Sequence, residues 1–389
     1  MVSHIGGENS PGRSSGQSRP GGRFRSLDGL RGWAAAVVVL SHVALTFPVL
    51  ADVVYGNVAP NEVGTLDGIV SFTPAHIFWA GQEAVFLFFI LSGFVLALPV
   101  LRAGKAYSWR AYYPRRVVRI YGPVAFAVLF GIATVILVSR HEANLGAWLD
   151  DRPKVPTVTG VIRDLTLVFG GSRLISPLWS LQWEVLFSLL LPIYIALTRV
   201  KPNLAWLKIA LLLIAMCFGV WASVPALVYL PMFAFGTLAA YHQSSISSFA
   251  ARLSDWFWSL LVVLSICLIC SRWLGSWILD SEAVADASVL PTFAGCALLV
   301  LACAYWRAPA RALERPVSQW LGRISFSLYL IHEPIVIAAA FAIGPTSFWL
   351  AAAVSVPLSV LASWTFYHLV EARFHHLAKR IGAVWNNRQ

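Results

Sequence analysis

Charged side chains are scarce in this chain. They make up 12% of its 389 residues, against roughly 25% in a soluble globular protein, which excludes a set of soluble domains at this length. Cysteine is scarce as well. The five present, Cys217, Cys267, Cys270, Cys296 and Cys303, all sit inside apolar blocks, and an odd number so placed excludes a disulfide framework. Cys267 and Cys270 form a lone CxxC, read as small residues of a membrane core. Acidic residues number 18 against 29 basic ones, for a formal net charge of +11. A nucleic-acid partner does not follow from that excess, because the charges flank apolar blocks and cover no soluble domain. No internal repeat is apparent, and no metal cofactor is expected.

What is abundant is apolar. Hydrophobic residues reach 58% and come in long blocks with charged joints, the pattern of an all-α integral membrane protein. About ten transmembrane helices are predicted, at 33–50, 78–101, 120–138, 178–198, 206–224, 225–241, 256–274, 289–306, 324–343 and 348–369. The first block exceeds the roughly 7–15 apolar residues of a cleavable signal peptide and carries a central histidine, so it reads as a retained helix. One transmembrane domain over 26–376 is expected. It lies between a disordered tail at 1–25, rich in Gly, Ser, Arg and Pro, and a short tail at 377–389. The joint 139–177 reads as the only sizeable loop, with Thr157–Phe169 on the membrane surface.

Lys and Arg set the orientation. With the N-terminus in the cytoplasm, only Arg140, Arg152, Lys154, Arg163, Arg173 and Arg272 of the 29 fall outside. Ten spans then return the C-terminus to the cytoplasm too.

Ionisable side chains within a spanning helix are costly and therefore functional candidates. They are His42, Glu83, Glu184, His332 and Glu333. Arg31 precedes His42 by eleven residues, three turns plus about 20°, so the two share nearly one face about 16 Å apart along the axis. A phosphate-bearing donor can rest on Arg31 while its flexible arm reaches His42, a geometry that suits acyl-coenzyme A. The bland alternative is a neutral histidine gluing two helices by a hydrogen bond. Ser180 and Glu184, four apart, share a face, and Trp179 and Trp183 offer flat surfaces to a sugar ring or form an interfacial aromatic belt. Tyr329 and His332 also meet on one face, as partners of His42 or as a structural pair. Ser92-Gly93 permits close helix approach, and Ser92 is in addition a substrate-binding candidate. Arg116 and Arg119 can hold a diphosphate by charge-assisted hydrogen bonds.

Taken in order, these blocks resemble the bacterial acyltransferase-3 family of membrane O-acyltransferases. Phe24-Arg25-Ser26-Leu27-Asp28-Gly29-Leu30-Arg31-Gly32-Trp33 with His42 matches its R-x10-H signature. Phe88 to Phe94, Arg116-Val-Val-Arg119, Trp179-Ser180-Leu181 with Glu184, Ile324 to His332, and Glu371 follow. Trp33 departs from the usual small aliphatic residue, with an effect expected on local packing alone. The early end after the last helix implies no fused SGNH-hydrolase-like domain. The resemblance implies a bacterial cytoplasmic-membrane enzyme moving an acyl group, commonly acetyl, from acyl-coenzyme A to a hydroxyl of a glycan, a lipid-linked saccharide or a glycosylated small molecule. It implies that His42 is catalytic with Arg31 as companion, and that Arg116 and Arg119 bind donor or acceptor. On this reading His42 is a general base or carries the acyl group. Glu184, nearer the outer leaflet, aligns or deprotonates the acceptor. Ser92, Trp179, Tyr329 and His332 contact substrate. The rival is a transporter of a lipid-linked saccharide or proton-coupled solute using the same His and Glu residues.

The orientation is testable. In a cysteine-free background, an impermeant thiol reagent added from outside should modify Lys154→Cys and spare Lys105→Cys; the opposite pattern inverts the topology.

Overall fold

A computed structural model describes residues 24–140, 145–344 and 347–386. The tail expected at 1–25 therefore lies, up to residue 23, outside the described residues, as do 387–389 of the closing tail. Every regular element among the described residues is helical.

The chain opens with α1 (Arg25–Ala44), then a capping segment of α2 (Pro48–Tyr55), α3 (Thr65–Phe72) and a 3-10 turn at Pro74–Phe78. α4 (Gly81–Ala103) and α5 (Trp109–Leu137) follow, and a second capping segment holds α6 (Ala147–Asp150) and α7 (Val158–Thr166). Next are α8 (Leu178–Arg199), α9 (Ala205–Trp221), α10 (Pro225–Tyr241), α11 (Gln243–Ala250), α12 (Asp255–Ile269), α13 (Ser271–Gly275), α14 (Ser281–Tyr305) and α15 (Arg307–Leu313). α16 (Pro316–Ile343) and α17 (Phe348–Phe366) lead through a π-helical turn, Tyr367–Glu371, into α18 (Ala372–Asn386).

Among the described residues eight helices are long and apolar enough to cross a membrane: α1, α4, α5, α8, α9, α14, α16 and α17. Two predicted spans are shorter, α10 at 17 residues and α12 at 15; α12 meets α11 at a bend of 118°. The outer faces suit lipid. Leu207, Leu211, Ile214 and Phe218 stand exposed in one row along α9, with no polar neighbour among them.

Several helices begin earlier than hydropathy indicates, because caps and not apolarity set their ends. Ser108 caps α5 by accepting from Ala111 N–H, so the helix starts at Trp109 and carries Arg115, Arg116 and Arg119, expected in a joint, up into the bundle. Asp280 caps α14 in the same way, and Pro316 occupies the first turn of α16. Residues 377–386 continue α18 and are no loose tail. The joint 139–177 is not the only sizeable one either: 45–80 is of similar length and also folds into short helices. The expected surface segment Thr157–Phe169 contains α7, whose N-cap Thr157 accepts from Gly160 N–H.

α16 is the axis of the bundle, packed against α1, α17 and α5. α1 reaches it through Gly32 and Gly322, where a Cβ would meet the partner helix's backbone. α4 and α10 cross as tightly: a Cβ on Gly93 would strike Phe233 O, and one on Gly236 would strike Ile90 O. Ser92-Gly93 thus does have the packing role, through its glycine. Trp33, the departure from the family pattern, donates from Nε1 to Ser318 Oγ at 3.0 Å and ties α1 to the start of α16.

Gly93→Ala should lower thermal stability by about 1–3 kcal/mol through overpacking. Gly68→Ala, on α3 with only an ordinary contact to Val63 nearby, should not. Equal melting temperatures in scanning fluorimetry would contradict the close crossing.

Candidate active site

His42 lies near the end of α1, against the centre of α16. His332 Nδ1 is 2.7 Å from Leu328 O and its Nε2 is 3.1 Å from His42 Nδ1. His42 Nδ1 is also 2.9 Å from Val38 O. Carbonyl oxygens only accept, so both Nδ1 atoms carry hydrogen when the rings are neutral. His332 Nε2 is then an acceptor, and His42 shares its Nδ1–H between Val38 O and His332. This leaves His42 Nε2 with a bare lone pair, 3.7 Å from Glu333 Oε1. The His42 side chain is 16% exposed and that of Glu333 is fully buried.

Glu333 is satisfied by the second capping segment. Arg152 Nη1 donates to its Oε1 at 3.2 Å, Ser176 Oγ donates to Oε1 at 2.6 Å, and Ser176 N–H donates to Oε2. Arg152 is fixed in turn by Nε donating to Trp148 O at 3.0 Å, with its guanidinium 4.6 Å from the centre of the Trp148 ring. The Trp148 ring also faces His42, with centroids 5.7 Å apart. A proton arriving on His42 Nε2 would make an imidazolium beside a carboxyl group that is paired with an arginine. That is the arrangement a general base needs.

A second constellation lies toward the other end of α1. Arg31, Ser92, Arg116, Arg119, Ser180, Glu184 and Tyr329 line one cleft of about 650 Å³, its open mouth included. Arg116 pairs with Glu184 and donates from Nε to Ser188 Oγ at 2.9 Å. Among the described residues Arg31 and Arg119 are engaged in no hydrogen bond, and three guanidiniums against one lining carboxylate leave the cleft positive. Ser180 Oγ and Tyr329 Oη are 2.6 Å apart, and the Tyr329 ring lies 6.3 Å from that of His332. These two residues join the cleft to the histidine pair. Glu371, from the π-helical turn, accepts from Ser327 N–H and Oγ.

Most of the residues singled out in the sequence gather at two linked places, but Glu83 does not: its Oε1 accepts from Trp273 Nε1 at 3.0 Å. His42 and His332 are partners. Arg31, Ser92, Arg116, Arg119 and Tyr329 meet in the cleft. Glu184 is placed differently from expectation: it stands among the arginines and not apart from them, because the early start of α5 lifts Arg116 to its level. Trp179 does not line the cleft; it packs against Tyr229 and Phe89, with centroids at 5.3 and 6.3 Å. Sequence reasoning named Glu333 as a functional candidate without a part in acyl transfer, and missed Arg152, Ser176 and Trp148 as its surroundings. A buried carboxylate demands a cation, so the few basic residues outside the arginine-rich joints, Arg152 among them, were the available signal.

The acyltransferase-3 family model, described as an acyltransferase domain, matches residues 24–368. The acyltransferase MdmB of Streptomyces mycarofaciens is 28% identical over 346 residues, covering 81% of this chain and 79% of that protein. No solved structure matches.

Arg152→Met or Glu333→Gln alone should destabilise the protein by about 3–5 kcal/mol, each leaving a buried partner unpaired. The double variant should lose less than the two losses added. Additive shifts in unfolding midpoint would show that the two side chains do not interact.

Proposed function

Because the chain belongs to the acyltransferase-3 family and is an acyltransferase, we propose that it moves an acyl group, in the simplest case acetyl, from acyl-coenzyme A to a hydroxyl of a glycan or glycosylated acceptor. The observation that carries this reading is the pairing of a cationic cleft with a bare histidine nitrogen. The phosphates of coenzyme A need several guanidiniums at once, and Arg31 and Arg119 have donors to spare while Arg116 is braced by Glu184 and Ser188. The thioester sits at the end of a long thin arm. The eleven residues from Arg31 to His42 span about 16 Å, a distance such an arm bridges past Ser180 and Tyr329.

At the reacting end His42 acts as general base. Its Nε2 takes the proton of the acceptor hydroxyl as the oxygen attacks the thioester carbonyl. The resulting imidazolium is stabilised by Glu333 and returns the proton to the departing coenzyme A thiolate. His332 holds the His42 ring by accepting from Nδ1–H, and Leu328 O and Val38 O fix the tautomers of the pair. Glu184 serves the donor side by orienting Arg116.

The proposal includes ten spans, with α10 and α12 as the short ones, and both termini in the cytoplasm of a bacterium. The distribution of Lys and Arg supports this, since it puts the arginine cleft on the side where coenzyme A is found. The same His and Glu residues would suit a proton relay in a transporter, but membership of an acyltransferase family favours transfer.

Purified protein in lipid should move label from acetyl-coenzyme A to a candidate glycan with release of thiol; label uptake into vesicles without transfer would select the transporter. His42→Ala should bind donor normally and slow single-turnover transfer by about 10²–10⁴-fold, the usual contribution of a general base. Arg31→Lys keeps charge and loses the bidentate fork, so donor affinity should fall about tenfold with turnover retained. Equal defects in both variants at the chemical step, with donor binding intact, would refute this division. Acid-quenched protein given donor alone should carry no label, whereas an acyl-histidine would.

A further inference from the structure

The second capping segment, at the opposite end of α5 from the arginine cleft, encloses a hollow of its own. Asp151 and Arg173 form an ion pair at its rim. Across from them α7 presents Thr159 and Arg163, four residues apart, and Gly160, where a Cβ would meet Thr157 Oγ1 and the Ser172 side chain. Glycine at that point keeps the hollow open. Thr159 and Arg163 are exposed, and Pro153 in the wall is held from behind by Arg140, which is 1% exposed and donates to Pro153 O at 3.1 Å.

The other face of α7 is apolar and bare. Val158, Ile162 and Leu165 are 76%, 55% and 38% exposed, at the i, i+4, i+7 spacing of one stripe. Val155, Val168 and Phe169 extend it. A short helix with one apolar exposed face and one polar face over a hollow is suited to the plane of a membrane interface. The hollow then opens at the level of the lipid head groups. It also abuts the catalytic network, since Asp151 precedes Arg152, the residue that holds Glu333.

We propose that this hollow receives the head of an amphipathic acceptor: a hydroxyl-rich polar group in the hollow, joined to an apolar anchor lying in the lipid along the α7 stripe. This rests on the acyl-transfer reading above only for the word acceptor. Hydroxyls both donate and accept, and so match a wall that offers a carboxylate, guanidiniums and a threonine hydroxyl together. A purely apolar ligand would leave the Arg163 guanidinium without a partner.

The test uses the full chain in lipid nanodiscs and needs no acyl donor. The probe is dodecyl maltoside carrying a photoreactive diazirine on its sugar; the comparison probes are the same diazirine on maltose and on dodecanol. Labelling of peptides within 151–174 by the glycoside should be saturable, and about tenfold weaker in Thr159→Trp and in Arg163→Ala, the loss expected for one well-placed contact. Both substitutions fall on exposed side chains, so one serves if the other fails to fold. Wild-type labelling in both variants overturns the site. Equal labelling by the maltose probe overturns the anchor, and equal labelling of the hollow by the dodecanol probe overturns the polar head. Failure to transfer label from acetyl-coenzyme A would sink the enzymatic reading and leave this binding result standing.

Discussion

The structure depends on a carboxylate buried where water cannot reach it. Glu333 sits in the middle of α16, fully enclosed, and an ion so placed costs several kcal/mol unless it is paired and hydrogen-bonded. The bundle helices do not provide the partner. It comes from the connection between α5 and α8, which must fold back over the helix ends to deliver Arg152 and Ser176. α6 serves that demand by placing Trp148 beside the arginine, where Trp148 O accepts from Arg152 Nε. The same demand explains how a bare histidine nitrogen can face a negative charge inside an apolar bundle.

On the proposed reading, the donor and acceptor ends separate along the length of the molecule. Cations gather where α1 and α5 begin, and the folded cap lies where α5 ends. The histidine pair stands between. If the proposed thioester donor and membrane-associated acceptor are its substrates, such a layout means that neither has to pass the other. The Ser180–Tyr329 hydrogen bond is the narrow place between the two halves. Its participants belong to α8 and α16, so relative movement of these two helices would alter the passage before it altered either end.

Much of this was legible in the amino-acid sequence. Apolar blocks located the eight helices among the described residues that are long enough to cross a membrane, and the shorter α10 and α12 as well, since apolar contact leaves a long unbroken record. The helix starts were less legible where the chain stays helical through polar residues, as in α5. Ser108 three residues before Ala111 was the available cue there, and hydropathy does not register it. Within the site, Arg31 and His42 were readable because one helix carries both. The pairing of His42 with His332 was readable as a possibility because both are rare intramembrane ions. Arg152 was not, for a loop arginine separated by 181 positions from its carboxylate is joined to it only by the tertiary fold. Glu184 shows the reverse difficulty: its helix was located well, but its neighbour's starting point decided which charges it would meet.

The π-helical turn at Tyr367–Glu371 has a consequence for how the C-terminal helix is inherited. A π turn amounts to one residue more than the α-helical register requires. Here the extra residue aims Glu371 at Ser327 on α16 and lays α18 along α5, with Phe374 over Gly122 and Gly382 against Arg115. Loss of a single codon in this stretch would restore ordinary helix and swing everything after it by about 100°. Phe374 would then leave Gly122, and α18 would point away from the helix that bears Arg116 and Arg119. The reading frame and all the signature residues would survive such a deletion, yet the brace beside the arginines would be gone.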